Sequence, residues 1–364
     1  MRLPSPLGIS APSVWLPAGR QSSEEAVARE LVDAETAEEL GYDRLPVADL
    51  APPEMAVEAG RHALATAGVD AAAVGLVMHA WIHYQGHDLW SPAHFVADGI
   101  GARDAVPVGV QQVCNGGAAA VELAAARLFV EPELGHALIT TADAFVEPGF
   151  DRWSGDYGIA YGDGATALVL HHLPRTESET GTTPGTTPGT GAGAAGATGG
   201  GRPADLVLHA LSTVAAPSLE RMHRGDDPFS PAARSLGPRV DIRRTKKAFL
   251  QAEGMEAFTG ASAAALRSAV GDCLAAAGDV ALRYVVAPRL GRKTVDLAYA
   301  PELTKLTGAE LLRPGADTGH LGAGDAAASL ADLHSRRLLG PGEYALVVSA
   351  GAGFTWSCLL VSGT

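Results

Sequence analysis

The residue in this 364-residue chain best placed for covalent chemistry is Cys114, in the run VQQVCNGGAAAVELAA. The apolar stretch before it reads as a strand and the small-residue stretch after it as a helix, so the thiol sits where a helix begins. Unpaired backbone N–H groups and the positive end of the helix dipole favour the thiolate there, the form that attacks acyl carbons. Gly116 and Gly117 would let a substrate approach that turn closely. A free cysteine serves equally as a small buried hydrophobe, and position alone does not separate the two uses. Cys273 and Cys358 lie far away in sequence. With no CxxC and no Cys/His spacing of metal type, neither a disulfide framework nor a metal site is expected.

Other groups are set apart by their company. His223, in ERMHRGDDPF, is a candidate second base or a surface-loop histidine. The run HYQGHDLWSPAH gathers polar and aromatic groups on one loop, of which Tyr84, His87 and Trp90 are candidates to line a substrate pocket or to pack at an interface between two copies of the chain. Arg239, Arg243, Arg244, Lys246 and Lys247 crowd into one short basic run, with Arg234 just before it. Such a run is a solvated helix face by default, but it would also steer an acidic partner. The chain as a whole carries a net charge of −14. That opposes binding to phosphate backbones, where affinity comes from Lys and Arg, so nucleic acid is not an expected partner. No run of 18 uncharged apolar residues and no basic leader before an apolar stretch is present. Neither a membrane span nor a signal peptide is expected, and the protein is read as cytoplasmic.

The elements that must position these groups form a repeat. A helix at 52–68 leads to strands at 74–79 and 106–113, a helix at Gly116–Val130 with only Glu122 and Arg127 charged, and strands at 137–141 and 164–171. The second part follows a similar order: a helix at 260–277, a strand at 284–287, an Ala-rich helix at 323–339, and strands at 344–350 and 357–361. Between the parts, residues 176–201 are mainly Gly, Thr, Pro and Ala, which cannot bury enough surface to offset ordering, so a flexible insertion is expected. The domains are then 1–175, carrying the nucleophile, and 202–364. Apolar, non-alternating strands separated by helices make an α/β protein with parallel-dominated sheets covered on both faces. Two such halves stacked give a duplicated, five-layered αβαβα fold.

Together, APPEMAVEAGRHALATAGVDAAAVGLVMHA, the Cys114 strand and helix, AYGDGATALVL at 160–170 and SAGAGFTWSCLLV at 349–361 resemble the successive landmarks of the ketoacyl-acyl-carrier-protein synthase III family, of thiolase fold. The resemblance implies that Cys114 takes up an acyl group as a thioester. It also implies an oxyanion hole from the backbone N–H groups of Cys114 and Ala352, a homodimer paired through the first-half sheet, and no cofactor beyond the phosphopantetheine or CoA of the substrate thioester.

Departures from the family pattern narrow the reading. Condensing members carry a His in a PHQAN-type segment and an Asn in a GN segment, which together decarboxylate malonyl thioesters. Here the first segment is VVAPRLGRK, with Pro288 and Arg289 where the His would fall, and the second is GHLGAGDAAASL. The second segment offers His320 and Asp325 on a Gly-rich loop entering a helix. Cys, His and an orienting carboxylate follow the logic of acyl-transfer triads. A helix cap and an ordinary first-turn carboxylate are the plainer uses of the two residues. GHLGAGD resembles a divergent branch that moves acyl groups onto hydroxyls or amines in antibiotic and polyketide biosynthesis. The expected function is therefore transfer of an acyl group from a carrier-protein or CoA thioester, through Cys114, to a small-molecule hydroxyl or amine. The alternative is a starter-unit 3-oxoacyl-carrier-protein synthase. In place of the family's adenine-clamping segment stands AEELGYDRLPVAD, which favours an acyl carrier protein over CoA as donor, docked on Arg239, Arg243, Arg244, Lys246 and Lys247.

Overall fold

The computed structural model describes residues 2–174 and 203–364 except 233, 236 and 279. The expected insertion at 176–201, and the domain boundary drawn through it, lie outside the described residues.

The first half runs β1 (Arg2–Trp15), a hairpin of β2 (Gly19–Ser22) and β3 (Arg44–Val47) enclosing α1 (Ser23–Ala28) and α2 (Ala34–Leu40), then α3 (Pro52–Ala67), β4 (Val74–Ala80), α4 (Pro92–Ile100), β5 (Val106–Val110), α5 (Gly116–Val130), β6 (His136–Asp143) and β7 (Gly164–His172). The second half runs β8 (Leu206–Ala215), α6 (Arg221–Arg224), α7 (Ile242–Glu253), α8 (Met255–Ala277), β9 (Leu282–Val286), α9 (Arg292–Thr294), α10 (Ala300–Thr307), β10 (Glu310–Leu312), α11 (Asp325–Ser335), β11 (Tyr344–Gly351) and β12 (Thr355–Gly363).

Hydrogen bonding orders the main strands β10-β9-β11-β12-β8-β1-β7-β6-β4-β5, a sequence that reads alike outward from its β8–β1 centre. In each half the three outer strands are parallel and the two inner ladders antiparallel. The halves join where Leu7, Gly8 and Ile9 pair with Leu208, Val207 and Leu206. One core cluster contains α5 and α11 together with side chains from both half-sheets, while α3 with α4, and α8 with α10, anchor separate clusters on the outer faces. These are the five layers. The central pair can lie between two sheets because they are built of small residues: Ala118, Ala120, Ala124 and Ala125 of α5, and Ala326, Ala327 and Ala328 of α11, are all buried.

Five strands escape the sequence reading: β1 and β8, the first of each half, the two strands β2 and β3 of the small hairpin, and the short edge strand β10. The strand expected at 106–113 stops at Val110, because residues 111–115 are taken up by the turn that carries the cysteine.

Candidate active site

Cys114 occupies a tight turn between β5 and α5. Val113 just before it has φ of 48°, a conformation costly for a β-branched residue. Asn115 N donates to Gln112 O (3.1 Å) and Gly116 N to Val113 O (3.0 Å), closing the turn. The Asn115 amide donates to Gln112 Oε1 (2.7 Å) and to Ser357 Oγ (2.9 Å) on β12, tying the turn to the second half. Gly351, at the end of β11, completes the fit. A Cβ there would stand 2.5 Å from Asn115 N, so only glycine allows this approach. Cys114 is half-buried and lines a cavity of about 670 Å³ whose wall includes Gly351 and Ala352.

Behind the sulfur lies His320, fully buried. Its Nδ1 is 2.6 Å from Asp325 Oδ2, while Asp325 Oδ1 accepts from Leu321 N (2.9 Å). The carboxylate thus fixes both the imidazole and the loop that carries it. His320 Nε2 is buried with no hydrogen-bond partner. Burial would pull the imidazole down, but the Asp325 carboxylate and then the nearby Cys114 sulfur outweigh it and hold it well above the ordinary histidine value. His320 does not itself line the cavity; Cys114 and Tyr161 stand in front of it. Tyr161 meets its ring edge-on at 5.1 Å, and the two residues are also bridged through their backbones.

Asp143, at the end of β6, has no counterpart in the sequence reading. Its Oδ1 accepts from Ile82 N and His83 N (both 2.8 Å) and its Oδ2 from Ala323 N (3.0 Å). It therefore pins the His320 loop to the first half. Burial pushes this carboxyl up to about 7 against those three donors. Gly322, at φ of 62°, passes so close that a Cβ would fall 2.2 Å from Asp143 Oδ2. The only local signal was an acidic residue ending an apolar strand, which spacing alone does not distinguish from a strand-end carboxylate. At the turn 162–164, Asp163 accepts from Phe145 N and Ala48 N and pairs with Arg152 at 3.0 Å.

Several expected site residues are elsewhere. Tyr84, His87 and Trp90 do not line the cavity. Tyr84 and Trp90 are 48% and 38% exposed, and His87 and Trp90 form a ring cluster with Phe95 on the surface. The cavity opens instead among α2, α6, α7, α8 and the helical segment after residue 290. His223 does reach its wall, edge-on to Phe354 at 5.3 Å. Burial, and then the charge of Lys246, bring it down to about 3, which favours its neutral form. The basic run is largely spent internally. Arg239 pairs with Glu147 and Asp151, Arg244 with Asp227, and Lys246 is buried against Asp156 at 2.5 Å. Arg243, stacked on Tyr157 at 4.6 Å, and Lys247 remain at the cavity wall. Arg289, where the family's His would fall, is buried and bound to Thr318 and Asp332.

Residues 290–362 match the model of the 3-oxoacyl-[acyl-carrier-protein] synthase III C-terminal family. Among solved structures, the acyltransferase ChlB3 is similar over 98% of both chains, with 29% identity and a TM-score of 0.83. The 3-oxoacyl-[acyl-carrier-protein] synthase III of Aquifex aeolicus superposes with a TM-score of 0.72 at 16% identity, over 98% of this chain and 99% of that one. That of Pseudomonas aeruginosa gives 0.70 at 19%, over 99% and 98%. No curated protein matches by sequence. The fold is thiolase-like, shared with these ketosynthase III structures, and the comparisons support a transferase-type enzyme.

Proposed function

We propose that the protein is a ping-pong acyltransferase in secondary metabolism. The observation that carries this reading is the buried His320, bound to Asp325 through one nitrogen and leaving the other unpartnered beside Cys114. His320 takes the Cys114 proton, and the sulfur attacks the donor thioester carbonyl. Charge on the tetrahedral oxygen falls to the Cys114 and Ala352 N–H groups. The donor thiol leaves with the proton from His320. Having handed its proton to the leaving thiol, the imidazole is neutral and free to act as the base of the second step. It then takes the proton of a hydroxyl or amine that attacks the thioester, and Asp325 steadies the resulting imidazolium.

An acyl carrier protein is the favoured donor, with Arg243 and Lys247 as the contact cations. Decarboxylative condensation is the weaker reading, because Arg289 is committed to Thr318 and Asp332 and no Asn accompanies His320. A second copy of the chain is the expected cover for edge strand β5, near which Trp90, Phe95 and Val106 are exposed. Intact-mass measurement after incubation with acyl thioesters should show one acyl adduct on Cys114. Malonyl-carrier protein should release no carbon dioxide. Carbon dioxide release would overturn transfer in favour of condensation, and a dimeric mass by light scattering is expected at micromolar concentration.

A further inference from the structure

The cavity in front of Cys114 is mostly apolar, with Ile159, Met222, Leu250, Phe258 and Phe354 on its walls, yet Asp156 and Lys246 line it too. Placing an ion pair there costs desolvation that mutual attraction offsets only in part. The pair is also unevenly satisfied. Asp156 Oδ1 accepts from Lys246 Nζ (2.5 Å) and Tyr157 N (2.6 Å), and Oδ2 from the Tyr161 hydroxyl (2.8 Å). An ammonium has three N–H donors, and among the described residues Asp156 takes one of them. What the cluster holds in reserve is therefore donors, not acceptors. Because the carboxylate already balances the charge, the fitting group is a neutral oxygen rather than an anion. Tyr161, which completes the cluster, is the residue that packs edge-on against His320, so the cluster and Cys114 share one cavity and one tyrosine links the pair to the histidine.

We propose that Lys246, held by Asp156 and Tyr161, is the recognition point for an oxygen substituent on the acyl group that Cys114 receives. The substrate class is an apolar acyl group carrying a hydroxyl, ether or keto oxygen within the cavity. This deepens the acyl-transfer reading and rests on it. His223, half-buried beside the pair, with a buried Nδ1 lacking a partner, adds a second polar group to the same wall.

The test uses N-acetylcysteamine thioesters of benzoate and of 2-, 3- and 4-hydroxybenzoate, whose rigid rings make the preference report oxygen position. Loading forms the Cys114 Sγ–acyl bond and breaks the acyl–sulfur bond of the donor, releasing N-acetylcysteamine with the proton Cys114 gave up. Its rate is read by intact mass on the full chain, with the hexanoyl thioester as control. One hydroxy isomer should load at least about tenfold faster than benzoyl, since a site built to bond an oxygen discriminates against its absence. The matching methoxy compound should keep the advantage and the amino compound should lose it. Lys246→Met combined with Asp156→Asn, which leaves no unpaired charge, should bring the ratio to about 1. Equal loading of all rings by the unaltered protein, or a preference that survives in the double variant, overturns the proposal. If only hexanoyl loads, this proposal fails and acyl transfer stands; if nothing loads, the acyl-transfer reading fails with it.

Discussion

The two halves share one plan and differ where it matters. In the first, a strand gives way to α5 through the turn that presents Cys114; at the corresponding place in the second, the loop entering α11 presents His320 and Asp325. The starts of the two helices meet: a Cβ on Gly117 would lie 2.5 Å from Ala323 O, and one on Gly116 3.1 Å from Ala323 Cβ. Duplication thus brings two helix N-termini to one point, and divergence gives one a cysteine, the proposed nucleophile, and the other a histidine with its carboxylate, the proposed base. A helix N-terminus favours negative charge, which suits both the sulfur and Asp325.

That division of labour can be broken from either side, and the largest effect is expected at the first-half turn. Cys114→Ala should take up no acyl mass at all in intact-protein spectra. On the second-half side, Asp325→Asn should keep the fold, by circular dichroism, and lower transfer by roughly 10⁴, as loss of the carboxylate does in other triads. Its pH dependence should move too. Transfer needs the neutral imidazole and so rises with pH through the His320 pKa. Asp325 raises that pKa, so removing its charge should shift the rise to lower pH.

Smaller effects should come from loosening the seam between the halves. Gly117→Ala forces a methyl against Ala323 O and should cost about 1–3 kcal/mol, an overpacking penalty visible as a lower Tm, together with slower transfer. Asp143→Asn loses the acceptor for Ala323 N while keeping one for the first-half loop, and should cost about 1–3 kcal/mol. The smallest effect concerns the donor. Reversing Arg243 and Lys247 to Glu should slow loading from a carrier-bound thioester several-fold and leave the N-acetylcysteamine thioester nearly untouched. Raised salt should reproduce the loss, because exposed charges are screened beyond about 10 Å at roughly 0.1 M.

The seam explains what could be read from sequence and what could not. The buried helix Gly116–Val130 was legible residue for residue, since near-absence of charge and an abundance of alanine have few other uses. Strands β1 and β8 were not. β1 begins RLPSP and β8 includes a histidine and a run of small residues, so neither has a clear period; what makes them strands is pairing with each other and with β7 and β12. In the site, Cys114, His320 and Asp325 could be picked out because each sits at a Gly-rich helix entry. Asp143 and the Asp156–Lys246 pair could not, because they act through contacts across the chain. Composition does not separate the two uses of Tyr84, His87 and Trp90, lining a pocket or packing at an interface between copies, and they stand on the surface outside the cavity.

The most direct test of the shared catalytic centre is the lifetime of the acyl adduct after loading with a small thioester and removal of excess donor, water being the simplest hydroxyl acceptor. In the unaltered protein the adduct should discharge on a measurable timescale. In His320→Ala it should persist on the Cys114 peptide at least about a hundredfold longer, the loss expected when a general base is removed. Discharge of the His320→Ala adduct at the unaltered rate, or an adduct on a residue other than Cys114, would contradict the assignment of nucleophile and base to the two halves.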